Sequence, residues 1–191
     1  MFDEVKYEGD IPEFWGSITA QELVHRFWQA TVAGTYVTHG ETLKHPEDVL
    51  WWSKGGELHG ESPARIAFLK EVLDEAPAAG LEPQPFVEDP LHLCGGSPDH
   101  FLRYFGRDTP AEWPFAIPQA SFLPEFLRPL VDGMEFRVEI LDTWNMTVTP
   151  VEETFTLVVD AANNTTHDRD HRSVKLPGLP CLALRIKRVQ P

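Results

Sequence analysis

Three clusters of side chains in this sequence could do chemistry. The densest is Asp3-Glu4-Val5-Lys6-Tyr7-Glu8-Gly9-Asp10. Carboxylates at a strand end with a tyrosine between them suit retaining glycoside hydrolysis. There one Glu attacks the anomeric carbon, and a neighbouring hydroxyl or acid orients it. The competing reading is a solvated acidic terminus. The second cluster is Thr38-His39-Gly40-Glu41-Thr42, whose His39 and Glu41 offer donors and acceptors for sugar hydroxyls. His39, Glu41 and His45 could also be read as metal ligands, but their spacings of two and four match no zinc pattern, and no metal is assigned. The third, Val49 to Gly60, sets Trp51 and Trp52 on a glycine-punctuated loop. In an extended segment one of the two adjacent indoles faces out, as a platform for a sugar ring or as packing.

Composition narrows the partners. The 191-residue chain has 42% hydrophobic and 24% charged residues, ordinary globular usage. Its net charge of −14 argues against nucleic acid, which needs a basic face, and against anionic polysaccharide at long range. A neutral glycan is indifferent to that charge. No run reaches the roughly 18 apolar residues of a membrane span. The opening Met1-Phe2-Asp3-Glu4 lacks a basic or apolar leader, which points to a cytoplasmic protein. Cys94 and Cys181 are far apart in sequence and read as two thiols.

The elements that must position the clusters change character along the chain. Thr19 with Glu22 forms a capping box, Leu23, Phe27 and Ala30 follow at helical spacing, and Gly34 ends the helix. Thr35–Thr38 is β-prone. A second helix opens with Ser62 as N-cap and Pro63 at the first helical position, with Ile66, Leu69, Val72 and Leu73 as its buried face. Residues 76–90, rich in Pro, read as a linker that can neither continue a helix nor sit inside a sheet. Beyond it the period becomes two. Strands are predicted at 100–105, 136–140, 143–148, 154–159 and 182–186, with a core of Phe101, Tyr104, Phe136, Val138, Trp144, Phe155, Leu182 and Leu184. This half is expected to unfold cooperatively by itself.

Residues 1–75 resemble the last two β/α units of the catalytic barrel in clan-A bacterial glycoside hydrolases of the apiosidase type. Asp3-Glu4, Tyr7-Glu8-Gly9, Ala33 to Thr42 and Leu50 to Gly56 carry the resemblance. Residues from about 85 to 189 resemble the small C-terminal sandwich that follows such barrels, through Phe101 to Gly106, Ile140 to Thr147 and Leu176 to Arg185. The resemblance implies an α+β chain: 1–79 as two β/α units of an incomplete TIM barrel, and 80–191 as linker and antiparallel β-sandwich. It implies Glu4 as nucleophile at the end of the seventh strand, with Tyr7, Glu8, His39, Glu41, Trp51 and Trp52 as substrate contacts, carbohydrate as ligand and no cofactor. Met1 falls inside that seventh strand, so the first six units and the acid/base carboxylate of the fourth strand are not in this sequence. The expected function is therefore part of a retaining glycoside hydrolase, inactive alone. The alternative is a non-catalytic module that binds carbohydrate or buttresses a partner domain. The apolar helix faces need cover, either on the sandwich or on another copy of the chain; self-association is the expectation, with a missing barrel portion as the other partner.

Overall fold

The structure is a computed structural model that describes residues 8, 18–35, 37, 42–44, 57–78, 80–84, 93–97, 99–117, 130–160 and 165–189. Two helices, α1 (Ala20–Val32) and α2 (Ser62–Asp74), precede most of the strands. A short antiparallel pair, β1 (Thr42–Lys44) and β2 (Glu57–His59), lies between them in sequence. The remaining strands are β3 (Glu82–Gln84), β4 (Leu93–Ser97), β5 (His100–Tyr104), β6 (Glu112–Pro114), β7 (Glu135–Asp142), β8 (Thr147–Asp160), β9 (Thr165–Asp168), β10 (Ser173–Lys175) and β11 (Leu182–Arg188). Seven of these form one curled antiparallel sheet in the order β3-β4-β5-β11-β7-β8-β9, while β6 and β10 pair separately.

Both faces of the central strands are covered, by different layers. One face carries Phe101, Phe136, Val138, Phe155, Leu157, Leu182, Leu184 and Ile186, and packs on Trp113 and Val174 of the β6–β10 pair and on Phe115 just after β6. Phe115 stacks on Phe155 with ring centroids 4.6 Å apart. The opposite face presents Leu102, Tyr104, Leu141 and Ala183 to Leu23, Phe27, Trp28, Phe68, Leu69 and Val72 of the two helices. The helices thus find cover on the sheet of their own chain. The architecture is mostly β, a small sandwich on one side and a helical layer on the other.

This double burial corrects two members of the expected core. All five residues of β5 are buried, so alternation gives no inside and outside there, and Tyr104 faces the helices rather than the sandwich. Trp144 is in no strand. The Asp142 carboxylate accepts from the backbone N–H of Trp144 and Asn145, closing a turn in which Met146 has φ +57. Of the strand expected at 143–148, residues 143–146 form a turn and 147–148 open β8, which takes in the strand expected at 154–159 and runs through Pro150 opposite an irregularity between Arg137 and Glu139 of β7. The linker also holds a strand. Pro83 is tolerated because β3 lies at the sheet edge.

The start of α1 is as expected, but the N-cap of α2 is Glu61, one residue before the expected Ser62. The Thr19 side chain accepts from Glu22 N at 3.1 Å, and Gly34 (φ +72) follows the last turn of α1. Barrel units are not seen among the described residues: Thr35 and Val37 are in no strand, Tyr36 and Thr38 lie outside them, and β1 and β2 pair antiparallel. No described helix is long and apolar enough to cross a membrane.

Candidate functional site

Of the residues read as catalytic or sugar-binding, Glu4, Tyr7, His39, Glu41, Trp51 and Trp52 lie outside the described residues. Glu8 is described, and its surroundings define the site. It forms a parallel bridge with Ile18, just before α1. Its Oε1 accepts from Glu61 N at 2.8 Å and its Oε2 from Ser62 N at 3.0 Å, at the start of α2. Helices leave their first N–H groups unpaired and positive, so a carboxylate there is favoured.

The same turn reaches the sheet. Arg65 donates from Nη1 to the Glu61 carbonyl at 2.7 Å and from Nε to the Trp144 carbonyl at 3.1 Å. Glu8, the first turn of α2 and the β7–β8 turn therefore form one connected cluster. At the other end of α2, Glu75 pairs with the buried Arg185 at 2.9 Å and with Lys187 at 3.0 Å, and Glu139 of β7 takes Arg185 Nε at 2.6 Å. A hydrogen bond from Lys187, aided by Arg185, holds the Glu75 carboxyl below its usual range.

A second polar cluster joins α1 to the sheet. The Tyr104 hydroxyl lies 2.8 Å from His25 Nδ1 and within hydrogen-bonding reach of the Cys181 thiol. Burial pushes the Tyr104 and Cys181 groups up and His25 down, the last aided by the nearby Arg107. All three are thus neutral near pH 7, which suits a packed contact and not a nucleophile. Glu22 on the same helix pairs with Arg26 and Arg107. These outweigh its burial and leave its carboxyl below the usual range.

The described tryptophans are largely withdrawn from solvent. Trp28 and Trp113 are buried, and Trp144 is half-buried. The exposed large apolar residues among those described are Val131, Met146, Val148 and Leu179, none of them aromatic. Sequence reasoning missed Arg65 and the capping role of Glu8, because each partner lies 53 or more residues away.

The curled antiparallel sheet and its two helices superpose on solved structures. A crystal structure described as a "putative glycoside hydrolase" from Bacteroides vulgatus superposes with a TM-score of 0.84 and 34% identity over 98% of this chain. This chain spans 35% of that protein. A second structure, described as a glycoside hydrolase, has a TM-score of 0.55 at 12% identity, covering 89% of this chain and 37% of the other. A glycoside hydrolase family 5 structure from Bacteroides vulgatus has a TM-score of 0.54 at 11% identity, covering 87% and 36%. No curated protein matches the sequence. Residues 91–187 match a family described as a domain of unknown function, DUF5605, and the chain belongs to that family.

Proposed function

We propose that this chain does the work of the last third of a retaining glycoside hydrolase, with residues 1–79 closing a clan-A, apiosidase-like barrel and residues 80–191 buttressing it. Glu4 is the nucleophile in this reading. Tyr7 orients it, His39 and Glu41 bind sugar hydroxyls, and Trp51 and Trp52 stack on sugar rings, with Glu8 beside them. The ligand is a neutral glycan. The observation favouring a buttress over a carbohydrate-binding module is the withdrawal of Trp28 and Trp113 into the core and the cover that Arg65 gives Trp144. A sugar-binding sheet face needs exposed rings, and the exposed apolar residues among those described are aliphatic or Met.

Retaining hydrolysis needs a second carboxyl about 5 Å from the nucleophile to protonate the leaving oxygen. The polypeptide alone lacks it under this reading. General acid assistance contributes about 10²–10⁴ in rate, and substrate positioning about 7–11 kcal/mol more. The chain alone should therefore turn over neither natural glycans nor activated aryl glycosides. Co-expression with the first two-thirds of the Bacteroides vulgatus relative should restore aryl glycoside turnover, with covalent labelling that Glu4→Gln abolishes. Turnover that survives Glu4→Gln would overturn the assignment of the nucleophile. Sugar binding on a glycan array by the chain alone would favour the binding-module reading instead.

A further inference from the structure

The start of α2 has a partner that its own local sequence does not supply. A helix N-terminus is usually closed by a side chain at the N-cap. Here Glu61 occupies that position and makes no side-chain cap, while Pro63 in the first turn brings no N–H. Glu8 supplies the missing acceptors from far upstream, one carboxylate oxygen to each of two successive N–H groups, at 2.8 and 3.0 Å. The pocket that admits it is shaped by Gly60. A Cβ at that position would lie 2.6 Å from Glu8 Oε2 and 2.8 Å from its carboxyl carbon. Any side chain there evicts the carboxylate or must itself be displaced.

The capped turn is held from its other side as well. Arg65 takes the Glu61 carbonyl, whose own N–H is on Glu8, and with the same guanidinium reaches Trp144 in the β7–β8 turn. The peptide groups of Glu61 are thus pinned between an anion from the N-terminal segment and a cation that rests on the sheet. Both charged ends are matched to the group they meet: carboxylate to N–H, guanidinium to carbonyl and ring.

We infer that Glu8 is a positioning residue, the near end of a latch running Glu8–Glu61/Ser62–Arg65–Trp144 that registers the N-terminal segment against the sheet. This does not depend on the hydrolase reading.

The test is a double-mutant cycle on the intact chain. Glu8→Ala and Gly60→Ala should each raise the unfolding equilibrium constant about tenfold, in the range of lost N-caps. In the Glu8→Ala background the effect of Gly60→Ala should shrink, because the clash has gone. Any backbone cost of alanine at 60 is common to both backgrounds and cancels. Glu8→Gln, which keeps the volume and one acceptor, should fall between. Nuclear magnetic resonance supplies the signature that general destabilisation would not give. The Glu61 and Ser62 amide protons should move upfield in Glu8→Ala, and the Trp144 indole resonance should shift in Glu8→Ala as it does in Arg65→Ala. Additive effects of the two substitutions, or unchanged Glu61 and Ser62 amides, would overturn the capping role. An indole resonance that ignores Glu8→Ala would overturn the latch.

Discussion

Arg65 sits over Trp144, its guanidinium carbon 3.8 Å from the ring centroid, while its Nε donates to the carbonyl of the same residue. One side chain on a helix thus reads both the ring and the backbone of a turn 79 residues away. The turn can be read because it is rigid: Asp142 accepts from two of its N–H groups and from the Asn145 side chain.

Arg65→Ala should cost about 2 kcal/mol, combining a cation–π contact with hydrogen bonds from a charged donor. Arg65→Lys keeps the charge but loses the planar guanidinium and the second donor arm, and should cost about half as much. Urea denaturation checks both. Arg65→Ala and Trp144→Ala together should cost less than the sum of the two, by about 0.5 kcal/mol or more.

Asp168 anchors the far edge of the sheet. Its side chain is fully buried and accepts from the backbone N–H of Thr156, Asp170 and Arg172 and from the Arg172 guanidinium at 2.8 Å. Burial alone would raise its carboxyl, but the bonds from Arg172 and Thr156 outweigh it and hold the group well below the usual range. Asp168→Asn should destabilise by about 3 kcal/mol, since it removes a charged acceptor from a buried network. A depressed carboxylate contributes above its unfolded pKa, about 3.9, and loses that contribution as pH falls below it. The wild type should therefore weaken below about pH 4 by more than Asp168→Asn does.

At milder acidity the histidines govern. His100 opens β5, is 4% exposed, and is lowered from 6.5 to about 4 by burial and then by the charges of Lys187 and Arg185. His25 is lowered in the same direction by burial and by Arg107. A histidine kept neutral in the fold contributes fully above its unfolded pKa and loses that contribution as pH falls toward the folded value. His100 alone should cost about 3 kcal/mol of stability between pH 6.5 and 4. His100→Gln should flatten that part of the curve, leaving a smaller slope from His25. An unchanged slope would show that the imidazole takes its proton without cost.

Local signals were the legible ones. Thr19 and Glu22 marked the start of α1 because the capping partners lie three residues apart, whereas Ser62 and Pro63 marked that of α2 only to within a residue, its cap coming from Glu8. Alternation placed β5, β7 and β11, but it could not say which face Tyr104 takes in a strand buried on both sides. Pro150 with Glu152 and Glu153 reads as a break, yet β8 passes through it where the register with β7 shifts. Of the site, the sequence picked out Glu8 as a carboxylate worth attention. It could not show that both oxygens would meet the start of α2, since nothing local to residue 8 signals a partner at residues 61 and 62.

The boundary near residue 80 divides the sequence pattern but cuts through a shared core. From sequence, the half from residue 85 onward is expected to unfold cooperatively by itself. The packing says otherwise. Removing residues 1–79 strips the helices from Leu102, Tyr104, Leu141 and Ala183, which are at most 1% exposed. It also removes Glu75 from the buried Arg185, leaving Glu139 as the carboxylate paired with it among the described residues. Burying a large apolar side chain contributes about 1.5–3 kcal/mol, so uncovering three of them approaches the 5–15 kcal/mol that holds a typical domain together. The face opposite, centred on Phe115, Phe136 and Phe155, stays packed on the β6–β10 pair. A fragment of residues 80–191 should therefore keep β-type circular dichroism, bind a hydrophobic dye such as ANS, and unfold at a much lower urea concentration with a shallower slope. Substituting Leu102 and Leu141 with Thr should lessen the dye binding without restoring the midpoint. A fragment that melts cooperatively at the midpoint of the whole chain would mean the helices are appended to the sheet and contribute nothing to its stability.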